Sequence, residues 1–413
     1  MPDATRIYLD NAATSFPKPP GVYESMLRYG TRLGASPGRG HYAESREGAR
    51  LIRQCRERIN TLIGGESPEH VVFTLNTSDA LNLAIKGVVR CAVSQGKPVE
   101  LVTTAMDHNS VLRPFAALAE DGARVIHVEA DPVTGLIDPD AFAGALTPRT
   151  TLAAVNMVSN VTGVIQPVAA IGEVCRARGV AFLVDAAQAL GHVDVDVRDM
   201  HIDLLAFPGH KGLLGPQGTG GLYLRPGMEA RVATTREGGT GSLSEHDVQP
   251  TTMPEKYEAG SHNTIGIVGL SEAVGYLLER GIPAIRAHEL ELIRFVLDEL
   301  RDGGCALGGG PPGDGPLREL RLLGPAEAAM RVGVFSFSHD TLEPAELAII
   351  LEERFGILAR SGITCAPRAH AALGTLDSRG SLRLSIGPFN TVGHVRAACA
   401  ALRDICASVA ACA

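Results

Sequence analysis

Between residues 71 and 224 the chain alternates short apolar runs with amphipathic stretches, and this rhythm constrains the fold more than any other feature. The apolar runs are 71–74, 100–104, 124–129, 152–158, 181–185, 204–207 and 221–224, each of strand length. Helical patterns at 78–94, 111–120 and 169–178 lie between several of them. Alternation of this kind implies a mostly parallel sheet of seven strands covered by helices on both faces. Such sheets bind ligands at the carboxyl ends of their strands, so the polar residues that follow these runs are the first candidates for a site.

From about residue 265 the pattern changes. Two long helical segments, 264–281 and 282–302, lead into a Gly/Pro-rich loop at 303–316. A strand at 333–337, a helix at 343–355, a short loop holding Cys365, a strand at 381–385 and a last helix follow. The expectation is an α/β chain with a large domain at 15–265. A smaller α+β domain is made of 1–14 and 266–413, with the loop at 303–316 as a surface excursion within it. No internal repeat interrupts this plan.

Composition narrows the partners. Charged residues at 20% and apolar residues at 45% are those of an ordinary globular protein. A formal charge of -8 gives no electrostatic reason to expect nucleic acid or an anionic membrane as partner. No apolar run reaches spanning length, and Met1-Pro-Asp-Ala-Thr-Arg-Ile has no apolar signal core, so a cytoplasmic protein is expected. The cysteines at 55, 91, 175, 305, 365, 399, 406 and 412 include no CxxC pair, and their spacing suits neither zinc nor a disulfide framework. Cys399, Cys406 and Cys412 fall on the terminal helical stretch as apolar filler. No metal site is expected.

Five elements stand at the ends of strand-like runs or on a strand. Lys211 follows a strand in the glycine-rich run Gly209-His-Lys-Gly-Leu-Leu-Gly, where small neighbours let a bulky group approach the backbone. Asp185 closes the apolar run Ala181-Phe-Leu-Val-Asp, with Gln188 one turn on. Thr77 and Ser78 open a helix after a strand and a polar turn, an arrangement that binds anions, and His210 offers a further donor. His108 follows a strand and presents a flat ring, and Arg383 lies on a strand with the planar fork that grips a carboxylate. Each residue also has a plainer reading: a surface lysine beside turns, a helix cap at Asp185 or at Thr77, a solvated or core histidine. In this order they meet the needs of pyridoxal phosphate. That cofactor requires an imine lysine, a carboxylate to keep the pyridine nitrogen protonated, a phosphate cradle, a ring to stack on and a grip on the substrate carboxylate.

The residues resemble the class V aminotransferase fold, and within it the cysteine desulfurase and selenocysteine lyase group, over nearly the whole chain. The markers include Tyr8-Leu-Asp-Asn-Ala-Ala-Thr14, Thr77-Ser-Asp-Ala-Leu-Asn82, Met106-Asp-His-Asn109, Ser159-Asn-Val-Thr-Gly163, Asp185-Ala-Ala-Gln188, Gly209-His-Lys211, Gly260-Ser-His-Asn-Thr264, Arg360-Ser-Gly-Ile-Thr-Cys-Ala-Pro367 and Arg383-Leu-Ser-Ile-Gly-Pro-Phe-Asn-Thr391. The resemblance implies a fold-type-I enzyme with Lys211 as the Schiff-base lysine, Asp185 on the pyridine nitrogen and Gln188 on the phenolic oxygen. It also implies His108 on the ring face and Thr77, Ser78 and His210 on the phosphate, with Asn160, Arg383 and Arg360 on the substrate side. It further implies a homodimer in which Ser261 reaches the partner subunit's phosphate. Three departures stand out: Pro208 replaces a usual serine donor, His262 replaces a stiffening proline, and His41 is displaced from the usual spacing, so that no role is assigned to it.

Cys365 decides the reaction. It lies in a loop-like setting eighteen residues before Arg383, with Arg360 and Arg368 nearby, and the alternative is a buried structural cysteine. As a nucleophile it would take sulfur from L-cysteine, leaving L-alanine and an enzyme persulfide, with selenocysteine lyase activity as a variant and a sulfur-acceptor protein as partner. The rival readings are another class V reaction (an aminotransferase, epimerase or C–S lyase) or a non-catalytic scaffold.

Overall fold

The computed structural model describes residues 6–410 apart from 39 and 243, so Cys412 and the first five residues lie outside the described part. After strand β1 (Ile7–Tyr8) come helices α1 (Val22–Arg28) and α2 (Ala43–Leu62). The alternating region follows as β2 (Val71–Thr74), α3 (Thr77–Ser94), β3 (Glu100–Thr104), α4 (Asn109–Glu120), β4 (Arg124–Val128) and α5 (Pro139–Ala145). It continues with β5 (Thr150–Asn156), α6 (Val168–Arg178), β6 (Ala181–Asp185), β7 (Leu204–Pro208) and β8 (Gly220–Leu224). The seven strands β2 to β8 form one sheet in the order β2-β8-β7-β6-β5-β3-β4. Only β8 runs antiparallel to its neighbours, so β2, β3, β5, β6 and β7 all end on the same edge.

Side chains on these strands alternate between two separate apolar clusters. Phe182 and Val184 of β6 pack on one face with Phe207 and Val155, while Ala181 and Leu183 pack on the other with Leu204 and Ala154. Burial on both faces explains why the strands read as continuous apolar runs instead of alternating ones. The structure is therefore the α/β fold with a mostly parallel, helix-covered sheet that the sequence implies.

Helices α7 (Thr264–Arg280) and α8 (Ile282–Asp302) come next, followed by β9 (Leu320–Leu323), β10 (Val334–His339) and α9 (Pro344–Phe355). The chain then runs through β11 (Ile357–Leu358), β12 (Arg360–Gly362), α10 (Pro367–Ala372), β13 (Ser381–Ser385) and α11 (Val392–Ala410). A four-stranded antiparallel sheet, β12-β13-β10-β9, carries its own core from Phe335, Phe337, Leu382, Leu384, Leu351 and Leu402. β1 pairs in parallel with β11 as a separate two-stranded sheet, and a bridge from Asp10 to Ser385 ties the N-terminal segment to β13 of the four-stranded sheet. α7 lies beyond residue 265 yet packs against α1 and α2, and its Ile267, Leu270, Val274 and Leu277 join the larger core. No helix among the described residues is long and apolar enough to cross a membrane.

A buried ion pair braces the N-terminal edge strand. Arg56 on α2 donates to Glu258 Oε1 at 2.7 Å, and Glu258 also accepts the Phe73 N–H at 2.6 Å and lies 3.1 Å from His262 Nε2. His262 is thus part of this cluster. Glu258→Ala would leave the Arg56 charge and the Phe73 N–H buried without their acceptor. The expected loss of unfolding free energy is about 3–5 kcal/mol, read from the urea midpoint. A loss below about 1 kcal/mol would mean that the pair acts like an exposed one.

Candidate active site

The shared carboxyl edge of β2, β3, β5, β6 and β7 opens into a cavity of about 580 Å³, counting its mouth. Thr77, Ser78, His108, Asn160, Asp185, Gln188, His210 and Lys211 all line it, so eight of the residues singled out from the sequence meet in one place. Asn76, Ser110, Asn156, Val158 and Ala187 complete the wall.

At one end stands the N-terminus of α3. Asn76 caps it through its side chain, which accepts the Asp79 N–H at 3.0 Å. Thr77 and Ser78 are the first helical residues, where backbone N–H groups have no partner within the helix and the helix dipole favours an anion. Ser78 Oγ lies 2.6 Å from Ser110 Oγ, which in turn lies 2.9 Å from His108 Nδ1. His108 caps α4, and its Nδ1 accepts the Ser110 N–H at 3.1 Å. Burial, reinforced by the Lys211 charge, pushes the His108 pKa down to about 4. The imidazole is therefore neutral near pH 7, with its proton on Nε2. His210 is likewise pushed down to about 4 by burial, and its Nδ1 is buried without a hydrogen-bond partner.

Deeper in the cavity, Asp185 ends β6 with one oxygen accepting the Ala187 N–H at 2.9 Å. Burial raises its pKa, while that N–H and Lys211 pull it down. Gln188 gives one amide hydrogen to the Ala12 carbonyl at 2.9 Å, which leaves its second N–H free for a ligand. Lys211 follows β7, and burial pushes its amine down to about 8 against the upward pull of Asp185. The peptide bond before it is firmly held. The His210 carbonyl accepts from Thr14 Oγ1 and Ser15 Oγ at 3.1 Å, and from the Ser15 N–H and Lys18 Nζ at 3.0 Å. Four donors on one carbonyl leave the Lys211 backbone little freedom. Pro208, the residue without a donor, ends β7 opposite Gly220.

Cys365 sits on the loop between β12 and α10 and is exposed. Thr364 and Cys365 both adopt left-handed backbone, with φ of 47° and 60°, which side chains with a Cβ rarely do. The loop is tethered to the cavity wall at two points. Asn160 Nδ2 donates to the Thr364 carbonyl at 2.7 Å, and the Asn109 N–H donates to the Cys365 carbonyl at 2.8 Å. The thiol is within electrostatic reach of Lys211, Arg360 and Arg383.

Arg383 is buried, and its Nη1 donates to the Asn160 carbonyl at 3.1 Å, which places it beside the same wall. Arg360 is half exposed and forks onto Asp10. Ser261 is not brought into the cavity; it is exposed and lines a separate hollow with Asp79, Arg236 and Glu258. His41 is exposed and is not among the lining residues. Asp10, which accepts from both Arg360 and Arg383, and Lys18, which donates to the His210 carbonyl, join the site without standing out in the sequence, although Asp10 lies inside the Tyr8–Thr14 marker.

Comparison with known proteins follows the same outline. The aminotransferase class-V profile matches residues 7–397. A probable cysteine desulfurase of Methanothermobacter thermautotrophicus is 34% identical over 94% of this chain and 92% of its own length. Another from Pyrococcus abyssi is 33% identical over 98% and 95%. The apo structure of a cysteine desulfurase from Thermococcus onnurineus superposes with a TM-score of 0.86 at 31% identity, covering 98% of this chain and 95% of that one. A cysteine desulfurase of Escherichia coli gives 0.82 at 26% identity with the same coverage. With the sheet, its loaded carboxyl edge and these relatives in agreement, the chain belongs to the class-V aminotransferase family.

Proposed function

We propose that this enzyme is a cysteine desulfurase that uses pyridoxal phosphate to convert L-cysteine to L-alanine, with Cys365 taking the sulfur and selenocysteine accepted as a variant substrate. The observation that carries the proposal is the convergence of Lys211, Asp185 and the open N-terminus of α3 on one cavity, with the Cys365 loop tethered to its wall. The residues suit the cofactor: unpartnered His210 Nδ1 and the first N–H groups of α3 for its phosphate, neutral His108 for its ring face, Asp185 for its pyridine nitrogen, and Lys211 for the covalent bond.

When bound, pyridoxal phosphate supplies an electron sink for the substrate's α-amino carbon. The chain's own groups do the rest. Arg383 and Asn160 hold the substrate carboxylate, with Arg360 at the outer side. The Lys211 amine takes up and returns a proton at the substrate Cα. Cys365 Sγ attacks the substrate sulfur as a thiolate: the C–S bond breaks, an S–S bond forms, and alanine leaves with the proton the thiols gave up. The relatives named cysteine desulfurase support the reaction, and the geometry supports the assignment of residues.

The same proposal covers the assembly and organisation. A large unit of residues 15–265 and a small unit of 1–14 with 266–413 are supported by two separate apolar cores, although α7 packs on the first unit. A homodimer with Ser261 facing a second copy is supported by the exposure of Ser261 and of Phe16, Tyr23 and Leu27; its proposed place is the cytoplasm, where an acceptor protein would collect the sulfur. The test is the measurement of alanine and sulfide formed from L-cysteine, with and without a thiol reductant. Equal yields of both products with reductant are expected, and absence of alanine would refute the reaction.

A further inference from the structure

Arg360 and Arg383 stand directly opposite each other on the adjacent antiparallel strands β12 and β13. Like charges at opposed positions repel, and Arg383 is buried, so this pair needs a counter-charge. Asp10 supplies it. Arg360 donates through Nε to both Asp10 oxygens at 3.1 Å and through Nη2 to Oδ2 at 2.8 Å, while Arg383 Nη2 reaches Oδ1 at 3.2 Å. Asp10 is positioned by a backbone bridge to Ser385, two residues along from Arg383. The three groups sum to one net positive charge. Arg383 Nε is buried and has no partner, so the cluster is also one acceptor short.

We infer that Asp10 sets the charge specificity of the substrate site: it neutralises one of the two guanidiniums and orients both, so that the site accepts an amino acid with one carboxylate and disfavours one with a second anionic group. This rests on the reading of Arg383 as the carboxylate grip, and it adds a residue to which that reading gives no role. Asp10 acts through the arginines and is a positioning residue.

The test uses holoenzyme and two probes of the same amino-acid frame, L-alanine and L-cysteate, whose side-chain sulfonate adds a second negative charge. Dissociation constants are measured by calorimetry, so the readout does not depend on turnover. In Asp10→Asn the ratio of the cysteate constant to the alanine constant is expected to fall about tenfold or more, the size expected for one unscreened charge in a partly exposed site. Arg360→Gln changes a half-exposed side chain and spares the fold, and there the ratio is expected to rise by a similar factor. The double variant restores the net charge and should return the ratio towards that of the wild type. A ratio within twofold of wild type in both single variants overturns the inference. Equal tightening of both probes in Asp10→Asn also overturns it, because Asp10 would then be a self-ligand that any substrate displaces. Wild-type holoenzyme that binds L-alanine but makes no sulfide from L-cysteine removes the desulfurase reading and leaves this one standing. Desulfuration with an unchanged ratio removes this one alone.

Discussion

Lys211→Ala is expected to lower alanine formation from L-cysteine by about a thousandfold or more, because one side chain both holds the cofactor and moves the Cα proton. The variant should fold, since Lys211 lines a cavity and is not part of a packed core. It should also lose added pyridoxal phosphate on desalting, seen as loss of the visible absorbance that the wild type keeps. The pH dependence of cofactor uptake gives a second readout. Only the neutral amine forms the covalent bond, and burial places the Lys211 pKa at about 8 in the free protein. The folded-state value is lowered, so the reactive form is scarce below that pH and dominant above it. The rate at which apoprotein captures the cofactor should therefore climb as pH passes about 8 and then level off. A rate still climbing at pH 10 would mean an ordinary solvated lysine. A variant that keeps the absorbance would show that another amine carries the cofactor.

The central sheet could be read from the sequence because its strands are buried on both faces and so appear as unbroken apolar runs of strand length. The residues that end those runs converge because the five strands carrying them share one direction. Other parts were less legible. Helix α2 buries Leu51, Ile52, Cys55 and Ile59, but these positions are set among many arginines and glutamates that obscure the stripe. Strands β11 and β12 have two and three residues, too few to show any period. The role of Asp10 was beyond a linear reading because its partners lie 350 and 373 positions away, and the strand pairing that sets Arg360 against Arg383 leaves no local signal. The four donors on the His210 carbonyl were hidden for the same reason, since they come from the far N-terminal segment.

Cys365→Ala is expected to lower sulfide release from L-cysteine at least about a hundredfold while leaving cofactor binding as it is. The contacts that hold the loop, from Asn160 to the Thr364 carbonyl and from Asn109 to the Cys365 carbonyl, use the backbone and survive the substitution. No other described cysteine is placed to substitute. Burial pushes the thiols of Cys55, Cys175, Cys305 and Cys399 up to about 12 and that of Cys406 up to about 11, so at neutral pH they hold their protons and stay inert. Cys91 is spent near the Ala230 carbonyl and does not line the cavity. The loop itself argues for function. Two consecutive non-glycine residues in left-handed backbone cost free energy that a merely connecting loop has no reason to bear. The distinguishing measurement is a single turnover without reductant. Wild type should release one alanine per active site and then stall with the sulfur held on Cys365, and a reductant should restart it. The alanine variant should give no such burst. Full turnover by the variant would refute the persulfide route and would leave the cavity to a reaction that needs Lys211 and Arg383 but no thiol.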